Sequence, residues 1–162
     1  MIANHGQKIK YHHDIIGVNS RLDTLQAAIL DVKLKHLNDY EQRRNEVANF
    51  YDRELGNVSF LEVPERAKNS THVFHQYTIK TRGIDRDKLK SYLESKGIPT
   101  MIYYPVPLHL QTAYARAEYQ AGTFPITEQL SKTVLSLPIH TEMDEEQLLY
   151  ICNTIKDFSN HA

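Results

Sequence analysis

The chain has 162 residues, enough for one domain with a buried core and too few for two ordinary domains. Hydrophobic residues make up 41% and charged residues 24%, as in soluble globular proteins, and the net charge of −1 gives no reason to expect nucleic acid or an acidic membrane as a partner. The single cysteine, Cys152, excludes an internal disulfide, and no apolar run could span a bilayer, so these features predict a cytoplasmic protein.

The first segment, residues 1–16, shows few apolar residues and no clear hydrophobic period. On composition alone it is a disordered or loosely draped arm. The adjacent residues His12 and His13 point in different directions and have no ligand partner at helical spacing. We therefore expect no metal site in this segment.

A helical pattern begins after Gly17 and runs to about Leu37. Its apolar residues form two adjacent rows: Leu22, Leu25, Ile29 and Val32 in one, and Leu30, Leu34 and Leu37 in the other. Two rows make an apolar face wider than a surface helix needs, so we expect this helix to be buried on two sides.

The polar residues at the head of this helix have two explanations. Asn19 and Ser20 are good helix caps, which predicts that the helix begins beside them with Arg21 at the positive end of its dipole. Such a place suits an anion, phosphate above all. An ordinary N-cap with an exposed arginine beside it explains the same residues.

The remaining elements predict an α+β domain. A second helix begins near Asn38 and ends at Gly56, separate from the first. Further along we expect strands at 73–80 and 98–103, helices after Asp85 and Asp144, a short helix at 112–119 and a helix at 127–135. This order implies a small antiparallel or mixed sheet with helices packed on it, and Cys152 buried in the last helix.

A proline-rich loop follows the second predicted strand and reads Tyr103-Tyr104-Pro105-Val106-Pro107-Leu108-His109. Two prolines in three residues predict a stiff loop that reaches solvent. Rigid loops that carry tyrosine and histidine often bind ligands. Tyrosines that pack on the domain with their hydroxyls outward explain the pattern equally well.

Two strings resemble the DegT/DnrJ/EryC1/StrS family of sugar-nucleotide aminotransferases, which are fold-type I enzymes that use pyridoxal phosphate. The first string is Gly17-x-Asn19-x-Arg21-x-Asp23-x-x-Gln26-Ala27-Ala28-x-Leu30. The second is Tyr103-Tyr104-Pro105-x-Pro107-Leu108-His109-x-Gln111. The resemblance extends over nearly the whole chain.

The resemblance implies that residues 21–162 are the small C-terminal domain of such an enzyme and that residues 1–20 are an arm leaving its large domain. It implies a homodimer in which Asn19 and Arg21 reach the cofactor phosphate of the neighbouring subunit, while Tyr104 and His109 contact the sugar nucleotide. In the family, the lysine that forms the Schiff base with pyridoxal phosphate belongs to the large domain. We therefore assign no catalytic residue here and expect no covalently bound cofactor and no activity from this chain alone.

Other functions remain open on the sequence. One is a stand-alone binding or regulatory module derived from the same domain. Another is an enzyme of unrelated mechanism that uses the tyrosines and histidines, although the chain has no nucleophile elbow, Walker loop, dinucleotide fingerprint or zinc-protease helix. The leading hypothesis is the C-terminal domain of an aminotransferase that acts on a keto sugar nucleotide, in amino-sugar synthesis for cell-surface polysaccharides or related glycans.

Overall fold

The computed structural model of the chain describes residues 2–9 and 11–160. Residue 1, the predicted start of the arm, and residue 162, the predicted end of the domain, lie outside this range. The chain divides into two compact units, one up to Asp39 and one from Tyr40, and each is treated by itself below. The predicted boundary between residues 20 and 21 remains a prediction.

The first unit begins with paired backbone. Strands β1 (Gln7–Ile9) and β2 (His12–His13) form an antiparallel pair. The preceding residues pair with a later segment: the His5 N–H donates to the Val18 carbonyl at 2.9 Å, and the Val18 N–H donates to the Ile2 carbonyl at 2.8 Å. The expectation of a disordered arm is therefore wrong, because its order comes from backbone pairing that hydrophobic periodicity does not reveal.

Helix α1 (Thr24–Leu34) begins later than predicted. Its N-cap is Asp23, whose carboxylate accepts a hydrogen bond from the Leu25 N–H at 2.9 Å. Asn19 and Ser20 are not the caps, because Asn19 forms a β-bridge with Asn4 and the Ser20 N–H donates to the Ala3 carbonyl. The best local cap residues are thus held in extended backbone.

The predicted burial of α1 on two sides is also wrong for this chain. No residue of α1 is buried, and Leu25 is 76% exposed. An apolar face of this width needs a covering surface. The part of the chain that the structure describes does not supply one.

Helix α2 (Leu37–Leu55) follows directly and confirms two consecutive helices. The side chains that α2 buries all come from its C-terminal half: Val47, Ala48, Phe50, Tyr51 and Leu55. The Tyr51 hydroxyl donates to the Pro138 carbonyl at 2.8 Å, so this buried phenol has the partner that its burial requires.

A three-stranded antiparallel sheet forms the centre of the second unit. Its order is β3 (Leu61–Glu62), β4 (Tyr77–Thr81) and β5 (Val134–Leu137), with Tyr77 opposite Leu137. The predicted strand at 73–80 starts four residues too early, because Phe74 has a φ of 45°, which breaks extended backbone.

The predicted strand at 98–103 is wrong. It contributes a single β-bridge, in which Met101 and Ser136 exchange hydrogen bonds of 2.8 and 3.1 Å. Pro99, two residues earlier, has no backbone N–H and cannot extend the ladder.

The remaining helices are α3 (Arg86–Ser95), α4 (Pro125–Thr133) and α5 (Glu145–Asp157). The predicted caps Asp85 and Asp144 are confirmed, and Asp144 forms a full capping box with Gln147. The predicted helix at 112–119 is only a 3-10 turn at Thr112–Tyr114, and Val134 belongs to β5 rather than to a helix.

One hydrophobic core unites these elements. It is built from α2, the sheet, α3 and α5, and it includes Leu55, Ile79, Leu89, Leu135 and Ile155, all fully buried. Cys152 is buried as predicted. The predicted α+β class is confirmed, with helices packed on a small antiparallel sheet. No helix of the described residues is long and apolar enough to cross a membrane.

Candidate functional site

The predicted phosphate contacts, Asn19 and Arg21, lie side by side in the first unit. The Arg21 Nε donates to the Asn19 Oδ1 at 2.8 Å. This bond uses one of the two lone pairs of the Asn19 carbonyl oxygen, and the Asn19 amide NH₂ and the remaining guanidinium N–H groups can still donate to a ligand. A pair that offers several donors, with a positive charge, suits an anion.

The helix dipole contributes less to anion binding at Asn19 and Arg21 than the sequence predicted. Since α1 starts at Thr24, Asn19 and Arg21 precede it in extended backbone. The Asp23 carboxylate already accepts the Leu25 N–H at the helix start. The site is therefore a pair of side-chain donors rather than a helix N-terminus.

The predicted substrate contact Tyr104 lines a cavity of about 590 Å³ in the second unit. Tyr103 lines the same cavity, and the two rings meet edge to face with centroids 5.8 Å apart. Tyr104 is 74% exposed, so its hydroxyl and ring face are available to a ligand. The pair lies on the proline-rich loop, and Pro107 leads directly into a 3-10 turn at Leu108–Leu110.

The second predicted contact, His109, is held by a carboxylate. Its Nε2 lies 3.0 Å from the Glu128 Oε1, and its side chain is only 8% exposed. Its ring packs edge to face on Phe124, with centroids 4.9 Å apart. His109 lines a second cavity, of about 500 Å³, beside the first. With Nε2 engaged, only Nδ1 remains for a ligand.

Glu128 is a site residue that sequence reasoning missed. Its carboxylate accepts hydrogen bonds from the N–H of Gly122 (2.8 and 3.0 Å) and of Phe124 (3.3 Å), as well as the contact with His109. The Gly122 N–H, with help from His109 and Phe124, lowers the pKa of Glu128 below its usual range, against an opposing effect of burial. The sequence carried one signal for it: an acidic residue in the first turn of a helix that starts with Pro125.

The described lysines do not fit the Schiff-base role. None of them is buried, and Lys10 lies outside the described residues. The half-buried ones pair with carboxylates: Lys80 with Glu62, Lys90 with Glu94 and Lys156 with Glu54. A Schiff base needs a neutral amine next to the reacting carbon. The donors at Asn19 and Arg21 fit the phosphate of pyridoxal phosphate, but its covalent attachment does not fit the lysines that the structure describes.

Within residues 2–9 and 11–160, no three histidine, cysteine or acidic side chains come together as metal ligands. His72 accepts the Phe74 N–H on its Nδ1 at 2.9 Å. This bond supports the left-handed backbone of Phe74.

The family model for the DegT/DnrJ/EryC1/StrS aminotransferases matches residues 1–156. The chain belongs to this family. Members of the family depend on pyridoxal phosphate.

Three comparisons describe the similarity. The chain is 42% identical to the UDP-N-acetyl-3-dehydro-α-D-glucosamine 3-aminotransferase of Acidithiobacillus ferrooxidans, over 96% of this chain and 41% of that protein. It is 44% identical to a "pleiotropic regulatory protein" of Geobacillus stearothermophilus, over 99% of this chain and 43% of that protein. It matches the structure of S. venezuelae DesV in complex with a ketimine intermediate, with a TM-score of 0.93, 36% identity and coverage of 100% of this chain and 43% of DesV. The chain thus spans about two fifths of the length of these relatives.

Proposed function

We propose that this chain is the C-terminal domain of a pyridoxal-phosphate-dependent aminotransferase that acts on a keto sugar nucleotide, in amino-sugar synthesis for cell-surface polysaccharides or related glycans. The observation that carries the proposal is the 42% identity to a UDP-sugar aminotransferase over 96% of this chain. The stand-alone module is disfavoured, because the aminotransferase family model matches residues 1–156 and the structure of DesV matches 100% of this chain. A cytoplasmic location remains the sequence-based prediction.

In this proposal the residues of this chain bind and orient the cofactor phosphate and the sugar nucleotide. They do not carry out the transfer of the amino group. Pyridoxal phosphate, when bound, serves as the electron sink that lets an amino group move between a donor and a keto sugar. Asn19 and Arg21 hold its phosphate in the partner subunit of a homodimer. Tyr104 and His109 face the sugar nucleotide, with the Tyr104 ring and hydroxyl available for stacking and hydrogen bonding.

A chimera tests the proposal. This chain replaces the matching 41% of the A. ferrooxidans aminotransferase, and the product is assayed on UDP-N-acetyl-3-dehydro-α-D-glucosamine. We expect the chimera to bind pyridoxal phosphate and to form the amino sugar, while this chain alone does neither. The unmodified relative is the control. A chimera that folds and binds the cofactor but forms no amino sugar from any keto sugar nucleotide would refute the proposal.

A second test uses the chain alone. It is mixed with pyridoxal phosphate, reduced with borohydride and mapped by peptide mass spectrometry. We expect no lysine to be labelled stoichiometrically, because among the lysines that the structure describes the half-buried ones are ion-paired and the others are exposed. Lys80→Arg is the matched control, because Lys80 lies on a central strand. Full labelling of Lys80 that Lys80→Arg abolishes would make this chain an enzyme in its own right.

A further inference from the structure

The Tyr103–Tyr104 cavity and the cavity beside His109 share part of their lining. Leu108 and Thr127 each line both cavities. Leu108 directly precedes His109, and Thr127 directly precedes Glu128. The 3.0 Å contact between His109 Nε2 and Glu128 Oε1 therefore ties together the two segments that form the shared wall.

The same carboxylate organises the loop that leads into α4. Phe124 occupies the N-cap position of α4, and its side chain can make no cap hydrogen bond. Glu128 instead reaches back from the first turn and accepts the N–H groups of Gly122 and Phe124. One side chain thus anchors both the N-terminus of α4 and the ring of His109.

The negative charge of Glu128 determines which nitrogen of His109 carries the proton. A carboxylate can only accept hydrogen bonds, so the nitrogen that faces it has to carry a proton. Glu128 therefore selects Nε2–H on His109, and it leaves Nδ1 as the nitrogen for any further contact. The His109 side chain is 8% exposed and the Glu128 side chain 18%, so water competes weakly for this bond.

We propose that Glu128 is a positioning residue: it fixes the tautomer of His109 and holds the loop from His109 to Phe124 as the rigid wall of the cavity beside His109, which shares Leu108 and Thr127 with the Tyr103–Tyr104 cavity. Its effect on a substrate rests on the proposed sugar-nucleotide function, whereas its effect on the loop and on His109 does not. The substrate therefore meets a cavity wall of fixed shape and a histidine in a fixed tautomer.

The first test uses the 162-residue chain and needs no activity. Long-range ¹H–¹⁵N spectra of the wild-type chain report which imidazole nitrogen of His109 carries the proton. We expect Nε2 to carry it. An Nδ1-protonated ring in the wild-type chain would overturn the proposal, and this result does not depend on any variant folding.

The second test measures amide exchange at Gly122 and Phe124. In Glu128→Gln one neutral amide oxygen has to serve the donors that the carboxylate shared, so we expect exchange at both amides to accelerate about tenfold. Glu118→Gln removes a charge from an exposed glutamate in the same loop and should leave both rates unchanged. Unchanged rates in a folded Glu128→Gln chain would contradict the proposal.

The third test separates positioning from a purely structural role. In the chimera described above, Glu128→Gln should raise KM for the keto sugar nucleotide about tenfold and change kcat by a smaller factor, because the wall binds substrate and does no chemistry. An equal loss in kcat with an unchanged KM would overturn the proposal. If the parent chimera folds and binds the cofactor but forms no amino sugar from any keto sugar nucleotide, the proposed function fails, and the spectra and exchange rates still decide the role of Glu128.

Discussion

Gly17 packs so closely on Gly6 that a β-carbon added to Gly17 would lie 2.1 Å from the Gly6 backbone nitrogen and 2.6 Å from the Ile2 carbonyl oxygen. In the sequence, Gly17 is the first residue of the string that resembles the aminotransferase family. In the structure, Gly17 allows two backbone segments to approach closely, so that the segment at 18–20 pairs with the segment at 2–5.

Gly17→Ala should therefore open this pairing. Backbone atoms cannot yield as a flexible side chain can, so one of the two segments has to move. We expect the amides of Val18 and Ser20 to lose their protection from hydrogen exchange, while the core amides of β4 keep theirs. Val18→Ala is the matched control, since the Val18 side chain is exposed and its backbone bonds remain. Retained protection in Gly17→Ala would contradict the assigned role.

Alkaline pH should destabilise the chain through Cys152. Burial raises the pKa of its thiol from the ordinary value of 9.0 to about 12. The folded state therefore holds a proton that the unfolded state releases, so the contribution is fully present below pH 9 and is lost as pH rises towards 12. The expected slope is at most about 1.4 kcal/mol per pH unit.

Urea unfolding at pH 8, 9 and 10 measures this effect. Cys152→Ala provides the comparison, because it removes the thiol and leaves the other titrating groups in place. The difference in the free energy of unfolding between the two proteins should shrink as pH rises above 9. Burial also raises the pKa of Tyr51 and Tyr77, and this part of the alkaline loss should be common to both proteins. A difference that stays constant with pH would show that the thiol is not linked to folding.

Asn19→Ala should weaken cofactor retention in the chimera. Removing one hydrogen bond to a charged group costs roughly 1.5–3 kcal/mol, about ten- to a hundredfold in affinity. The change also removes the acceptor that holds Arg21 at 2.8 Å, so the arginine loses its fixed position. The measurement is the dissociation rate of pyridoxal phosphate from the dimer. Ser20→Ala serves as the control, and equal retention in both variants would leave Asn19 without a cofactor role.

The exposed apolar face of α1 should drive self-association. Leu25 and Ile29 are exposed side chains of one apolar row. Apolar surface of this kind is typical of protein interfaces. We expect the chain to form dimers or larger particles by light scattering, and Leu25→Gln with Ile29→Gln to shift it towards monomer. Lys33→Gln, on the same helix, is the control. A monomeric parent chain at high concentration would contradict the expectation.

Some structural features of this protein could be predicted from the sequence because they depend on local interactions. The caps Asp85 and Asp144, the break between α1 and α2, the buried Cys152 and the α+β class all follow from signals within a few residues. Such signals act through hydrogen bonds and side-chain spacing along one element, so they can be recognised without knowledge of the tertiary structure. The two strings that resemble the aminotransferase family were also local, and the family match confirms them.

What only the tertiary structure decided depends on groups far apart in sequence. Asn19 looked like a helix cap, but its backbone pairs with Asn4, and Asp23 takes the cap. His109 looked like an open ligand contact, but Glu128, 19 residues later, holds its Nε2. In each case a polar group found a partner that sequence spacing cannot reveal, because chain folding, rather than periodicity, brings the two groups within hydrogen-bond distance.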